Sequence, residues 1–294
     1  MRSAIIAMTA MVLATAAAAA LPCRGGEGAG EKGGEVKAGD QPQAWIAAMK
    51  EVHARFKGDK GSFAVFGDSI SDTMAFWAPL LYGAPQNMDE ATRKDFELVA
   101  GYSKKDQWGR KGGQWGNASG QTVAWAHKNM DDWLRKMNPE VAVFMFGTND
   151  ISNVKLDDYE TRLRETIRKI LDNGTVVILS TIPPRAGLED RARECSERIR
   201  KVAGELKVPL EDFHAEILKR RPDDWNGKLE KFQPRKGYEV LTLISGDGVH
   251  PSNPKEHIKD FSETGLKNSG LTLRNYLALR DYAAVVREVF EAGK

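Results

Sequence analysis

The sequence predicts an α/β domain: a parallel sheet covered by helices on both faces. Three observations carry that expectation. Apolar runs of strand length recur at 63–66, 141–146 and 175–182, without the polar alternation of a half-exposed strand. Between them, longer stretches repeat apolar residues at helical spacing. Glycine, proline or asparagine stands where each run stops. Strands that alternate with helices of this length need crossover connections, which are right-handed and leave the strands parallel.

Composition narrows the class. The 294 residues exceed the commonest domain size yet fit one α/β domain with extensions. The 43 basic and 41 acidic residues are interspersed, for a net charge of +2, so no basic stripe announces nucleic acid. Cys23 and Cys195 are the only cysteines, too few for a disulfide framework or a metal cluster.

Residues 1–20 hold Arg2 and then an alanine-rich apolar run ending in small residues, the pattern of a cleaved signal peptide. The expected protein is therefore secreted or periplasmic. The run is too short for an anchoring helix, so no stable membrane span is expected after cleavage. Ala20, Leu21 and Pro22 before Cys23 depart from a lipid-attachment pattern, and no lipid anchor is expected there. Residues 21–43 are glycine, glutamate and lysine with almost nothing apolar, a flexible linker. The folded domain is expected over 44–294.

Within it, Trp45, Met49, Val52 and Phe56 at helical spacing predict a first helix, stopped at 58–61. Phe63 to Phe66 then form a buried strand that ends at Gly67 and hands over to Asp68 and Ser69. The carboxyl end of a strand is where ligands and catalytic groups sit in open α/β sheets. Residues 76–117 read as a long irregular loop in which Trp77, Tyr82, Tyr102, Trp108 and Trp115 are interleaved with charges. As a group these rings are a candidate substrate-binding lip, with Trp77, Trp108 and Trp115 as flat platforms; the alternative is that they pack the insertion onto the core.

Val123, Ala126, Met130, Trp133 and Leu134 predict a helix that ends at Asn138 and Pro139. The second strand follows, stops at Gly147 and delivers Asn149. Leu163, Ile167, Ile170 and Leu171 mark a helix over 156–173 with Gly174 as its stop, and 175–182 is a third strand closed by Pro183 and Pro184. A helix over 191–206 and a strand over 208–213 come next. Residues 220–238, charged and broken by Pro222 and Pro234, read as a surface excursion. The stretch 245–252, SGDGVHPS, places Asp247 three residues before His250 in a glycine-rich loop, and Leu273, Leu277, Tyr282, Val285 and Val289 predict a closing helix over 271–291.

A serine at one strand end, an asparagine at another and a late Asp-x-x-His are the parts that acyl transfer needs. A hydroxyl needs a base, an imidazole needs a partner that fixes its tautomer, and an oxyanion needs donors already aimed at it. Each residue also has a plainer use, as a helix cap or a loop pair. Their order decides between the two readings. GDS at 67–69, the Asn of GTND at 147–150 and DGVHP at 247–251, in that sequence, resemble the SGNH (GDSL-type) hydrolase family over roughly 63–251.

The resemblance implies the flavodoxin-like SGNH hydrolase fold, a three-layer α/β/α arrangement around a central parallel sheet, and a carboxylic ester hydrolase with no cofactor and no metal. It implies Ser69 as nucleophile, His250 as base and Asp247 as its orienter. The N–H groups of Ser69 and Gly120 with the Asn149 amide would form the oxyanion hole; Gly116 is the alternative to Gly120. The resembling family includes carbohydrate deacetylases, lipases, lysophospholipases and thioesterases. Export makes an acetylated polysaccharide the expected ester substrate, with a lipid ester or thioester as the alternative. A metal-dependent phosphoesterase needs several His and Asp ligands at strand ends, and the chain has no Asp-x-His after its first strand and no histidine soon after Asn149. Intact Ser69, Asn149, Asp247 and His250 argue against a non-catalytic glycan-binding module.

Overall fold

The computed structural model describes residues 42–83 and 85–291. The expected signal peptide, and the expected linker up to residue 41, lie outside the described residues. The first described helix is α1 (Pro42–His53), which starts two residues before the expected domain boundary, with proline at its first position, where the missing N–H costs nothing. Strand β1 (Phe63–Gly67) follows, buried at every position.

The segment expected to be irregular instead holds two helices, α2 (Ala78–Tyr82) and α3 (Glu90–Tyr102). The Asp89 carboxylate accepts the Thr92 N–H at 2.7 Å and starts α3, and Val99 buries its inner face. Next come α4 (Val123–Met137), ended by Asn138 in the left-handed region, then β2 (Val141–Met145) and the short α5 (Asp150–Asn153). Helix α6 (Leu156–Asp172), strand β3 (Val176–Ser180) and helix α7 (Glu189–Leu206) agree closely with the sequence reading. Strand β4 is only Leu210–Glu211, because Asp212 leaves the sheet to cap α8 (Phe213–Arg220), accepting the Ala215 N–H. Helices α9 (Glu263–Asn268) and α10 (Gly270–Val285) close the domain, and α10 runs on into one wide turn at Val286–Phe290.

The four strands are all parallel in the order β1-β2-β3-β4. Right-handed crossovers that always step the same way put their helices on one face, and α4, α6 and α7 lie side by side there. Helices α1 and α10 cover the other face, both against β3. Beyond β1, Asn117 makes a single parallel bridge to Gly67: the Gly67 N–H donates to the Gly116 carbonyl and the Ala118 N–H to the Gly67 carbonyl, both at 3.1 Å. This stub is a rudimentary fifth strand. Counting it, the chain-order numbering of the sheet becomes 2-1-3-4-5, the flavodoxin-like order. Every residue of the three long strands is buried, as strands covered on both faces must be.

Candidate active site

The candidate residues meet at the carboxyl ends of β1 and β2. Glycine is required at the end of β1, since a methyl group on Gly67 would lie 2.1 Å from Ser71 Oγ and 2.9 Å from the Met145 carbonyl. The turn it opens presents Ser69 to His250, with 2.9 Å between Oγ and Nε2. On the other side of the ring, Nδ1 lies 2.7 Å from Asp247 Oδ2. Asp247 Oδ1 accepts from Ser245 Oγ, Val249 N–H and His250 N–H at 2.7, 2.7 and 3.0 Å. Burial opposes ionisation of this carboxyl, but those donors and the imidazole outweigh it and hold Asp247 well below the usual carboxylate range. In return the hydrogen bond to Asp247 raises the His250 imidazole above its ordinary value of 6.5, against burial.

Asn149 stands at the start of α5 but does not cap it. Its amide Nδ2 donates to the Gln121 carbonyl at 2.8 Å, which fixes the group and leaves the second N–H to point elsewhere. The next residue repeats the tie: both carboxylate oxygens of Asp150 accept the Val123 N–H at 3.2 Å, at the start of α4. Two adjacent residues after β2 thus clamp the loop of Gly120. That glycine has a positive φ of 76° and is exposed, with no atom near its missing side chain. Gly116 is spent differently, buried at the sheet edge with its carbonyl accepting from Gly67. The N–H groups of Ser69 and Gly120 donate to no protein acceptor among the described residues. A hydroxyl hydrogen-bonded to an imidazole that is itself hydrogen-bonded to a carboxylate is an arrangement suited to acyl transfer.

A sequence profile of the GDSL-like Lipase/Acylhydrolase family matches residues 65–254, a span that contains every one of these groups. The chain belongs to this family. Members are hydrolases that act on esters. No curated protein matches the chain. Among solved structures, a lipase/acylhydrolase from Enterococcus faecalis is similar at 16% identity, covering 75% of this chain and 94% of its own, with a TM-score of 0.47. A catalytic mutant of an acetylxylan esterase from Geobacillus stearothermophilus is similar at 17% identity over 80% of this chain and 96% of its own, with a TM-score of 0.48.

In this GDSL-family chain several residues that support the site carry no signal in the sequence motifs. Arg274 of α10, fully buried, donates from Nη1 to the Ile70 carbonyl at 2.6 Å and from Nη2 to Ser71 Oγ at 2.9 Å, and lies over the Phe76 ring. Its neighbour Asn275 accepts the Trp77 N–H at 2.6 Å and donates to the Ala75 carbonyl at 2.9 Å. Together they hold the segment that follows the serine, including Trp77 in the left-handed region at φ 67°. Asp68 is buried and accepts the Ile70 N–H at 3.0 Å; burial raises its carboxyl to about 6. Arg185, just past β3, donates to the Thr148 carbonyl at 2.6 Å and to Ser152 Oγ at 2.9 Å, bracing the strand end that carries Asn149. Only its position near a strand end points to Arg185 in the sequence; Arg274 and Asn275 have no local signature at all.

The aromatic platforms need correction. Trp77 and Trp108 are 0% and 1% exposed, packed edge to face at 5.5 Å, with Trp77 stacked on Phe63 at 4.9 Å, so neither presents a face to a substrate. They anchor the 76–117 segment to the core. Trp115 is half-buried and already carries Arg110 and Lys136 on its ring. The exposed ring beside the site is one the sequence reading passed over: Tyr238, 6.0 Å from the His250 ring. His257 is bound at Nδ1 to Asp260 at 2.9 Å, and Asp260 also takes the Asn87 amide, so this second His–Asp pair knits a turn.

Proposed function

We propose that the protein is a serine ester hydrolase that works through an acyl-enzyme and removes acetyl groups from a carbohydrate. The hydrogen-bonded chain from Ser69 through His250 to Asp247 carries the catalytic part of this reading. His250 Nε2 takes the Ser69 proton as Oγ bonds to the ester carbonyl carbon. The oxygen of that carbonyl becomes an oxyanion among the N–H groups of Ser69 and Gly120 and the Asn149 amide. The carbon–oxygen bond to the alcohol then breaks, and His250 returns the proton to the departing oxygen. Water, deprotonated by the same imidazole, attacks the acyl-Ser69 and releases the acid. No cofactor enters these steps.

The acetyl preference is supported by where the apolar side chains go. Phe76, Trp77, Leu80 and Trp108, large apolar residues of the segment that follows the serine, are buried in the core rather than lining a channel, and of its apolar side chains nearest the serine only Met74 is exposed. Polar groups stand near His250: Arg185 acts on its imidazole electrostatically, and the Tyr238 ring lies 6.0 Å from it. Export rests on residues 1–20 and predicts a mature protein that starts beyond them, which N-terminal sequencing of the exported form would check.

The test is a chain-length series of p-nitrophenyl esters together with acetate release from acetylated polysaccharide. Activity should peak at acetyl and fall steeply by octanoyl, and Ser69→Ala should lose labelling by a fluorophosphonate and nearly all turnover. A preference for octanoyl with inert acetylated glycans would favour a lipid ester instead. Near-normal turnover in Ser69→Ala would remove the serine mechanism.

A further inference from the structure

A cavity of about 310 Å³ opens beside the site. One wall is Thr73 and Ala75, four and six residues past Ser69; the other is Tyr238 with Asn253 and Lys255, from the segment that continues past His250; Leu271 contributes an apolar patch. Its volume lies at the lower end of ligand pockets, roughly 300–1,000 Å³, which suits a single ring better than a long chain. Tyr238 is 47% exposed and its ring is tilted 57° to that of His250. The tyrosine is not on a loose loop. Its carbonyl accepts the Asn253 N–H at 2.8 Å, the preceding Gly237 carbonyl accepts the Gly246 N–H at 2.8 Å, and the Glu239 carboxylate accepts the Lys255 N–H at 3.1 Å. Three ties therefore fix the aromatic wall to the loop that carries the base.

The direction of proton flow says which part of an ester belongs here. The acyl carbonyl must face the oxyanion donors at Ser69, Gly120 and Asn149, whereas the departing alcohol oxygen must receive its proton from His250 Nε2. A cavity whose aromatic wall adjoins the His250 ring is thus placed to receive the alcohol. Its lining joins an aromatic face and apolar carbons to a hydroxyl, an amide, an ammonium and the Glu239 carboxylate. That mixture matches a pyranose, which offers C–H faces to a ring and hydroxyls to polar groups.

We propose that this cavity is the subsite for the sugar that bears the ester, with Tyr238 as its stacking platform. The proposal rests on the carbohydrate deacetylase reading and names where that substrate sits.

The test compares wild type, Tyr238→Ala and Tyr238→Phe on p-nitrophenyl acetate and on acetylated xylo-, manno- and galacturono-oligosaccharides. For the best oligosaccharide, Tyr238→Ala should lose about tenfold more kcat/KM than it loses on p-nitrophenyl acetate, mainly through KM, a contact worth roughly 1.4 kcal/mol. Tyr238→Phe should keep most of the wild-type ratio, because the ring and not the hydroxyl makes the platform. Equal losses on both ester types would mean that Tyr238 only supports His250, and would overturn the proposal, as would no loss on either. A binding arm separates this outcome from failure of the deacetylase reading. Ser69→Ala protein is titrated calorimetrically with the same oligosaccharides, with and without Tyr238→Ala. Binding that depends on Tyr238 supports the subsite even if wild type releases no acetate, whereas no binding to any of them overturns it.

Discussion

At the scale of single residues, the site works through hydrogen bonds that shift where groups ionise. Asp247 raises the His250 pKa, so the neutral imidazole that the proposed mechanism needs as base appears only above the ordinary 6.5. The acid limb of kcat/KM should therefore lie above 6.5, and Asp247→Asn should move it down while cutting turnover, which a pH–rate profile of both proteins measures. A limb that stays in place would separate Asp247 from the base. Asn149 is expected to act on the oxyanion rather than the ground state, so Asn149→Ala should lower kcat by about 10²–10³ with little change in KM, read by steady-state kinetics. Ser69, Asn149, Asp247 and His250 are legible in the sequence because each sits in a short motif at a strand end or in one loop. Tyr238 is not, since its relevance comes from a contact with His250 that no local pattern encodes.

At the scale of elements, the site depends on a helix far from it in sequence. Arg274 and Asn275 of α10 hold the turn and strained segment after Ser69 across about two hundred residues. Arg274 acts as a positioning residue. Removing a buried charge that has partners typically costs about 3–5 kcal/mol, so Arg274→Met should lower the thermal midpoint sharply in calorimetry. Arg274→Lys keeps the charge without the fork, and should fold yet lose kcat more than it raises KM. The three crossover helices and the three long strands could be read from periodicity, because burial on both faces or one face dictates the pattern. Helix α3 escaped that reading: charges dilute its apolar face, and only the Asp89 cap before Thr92 marks its start. Strand β4 was overcalled because Leu210 and Phe213 are apolar for different elements, one in the sheet and one in α8.

At the scale of the whole molecule, several carboxyls are buried deeply enough to prefer the proton. Burial raises Asp68 and Asp281 to about 6, and Glu211 and Asp150 to about 7. Their unfolded values are near 4, so the folded state binds more protons between those limits. Stability from these groups is present at acid pH and is lost as pH rises through the folded values. Buried His214, whose pKa is lowered by burial, pulls the other way near 6.5. With four carboxyls against one imidazole, the thermal midpoint should be higher at pH 5 than at pH 7, checked by calorimetric scans across that range. A midpoint that rises over this interval would show that the carboxyls are ionised in the fold.

The strand order has a further bearing on how the enzyme comes into being. Leaving the Asn117 stub aside, each of strands β2 to β4 pairs with the strand made before it, so the sheet can assemble in the direction of synthesis. The serine, after the first strand, is in place early, but His250 arrives later and α10 later still. A chain interrupted before residue 270 would carry the nucleophile turn without the arginine and asparagine that hold it. Competence thereby waits for α10, and a product truncated before that helix should hold most of its sheet while remaining unable to turn over an ester.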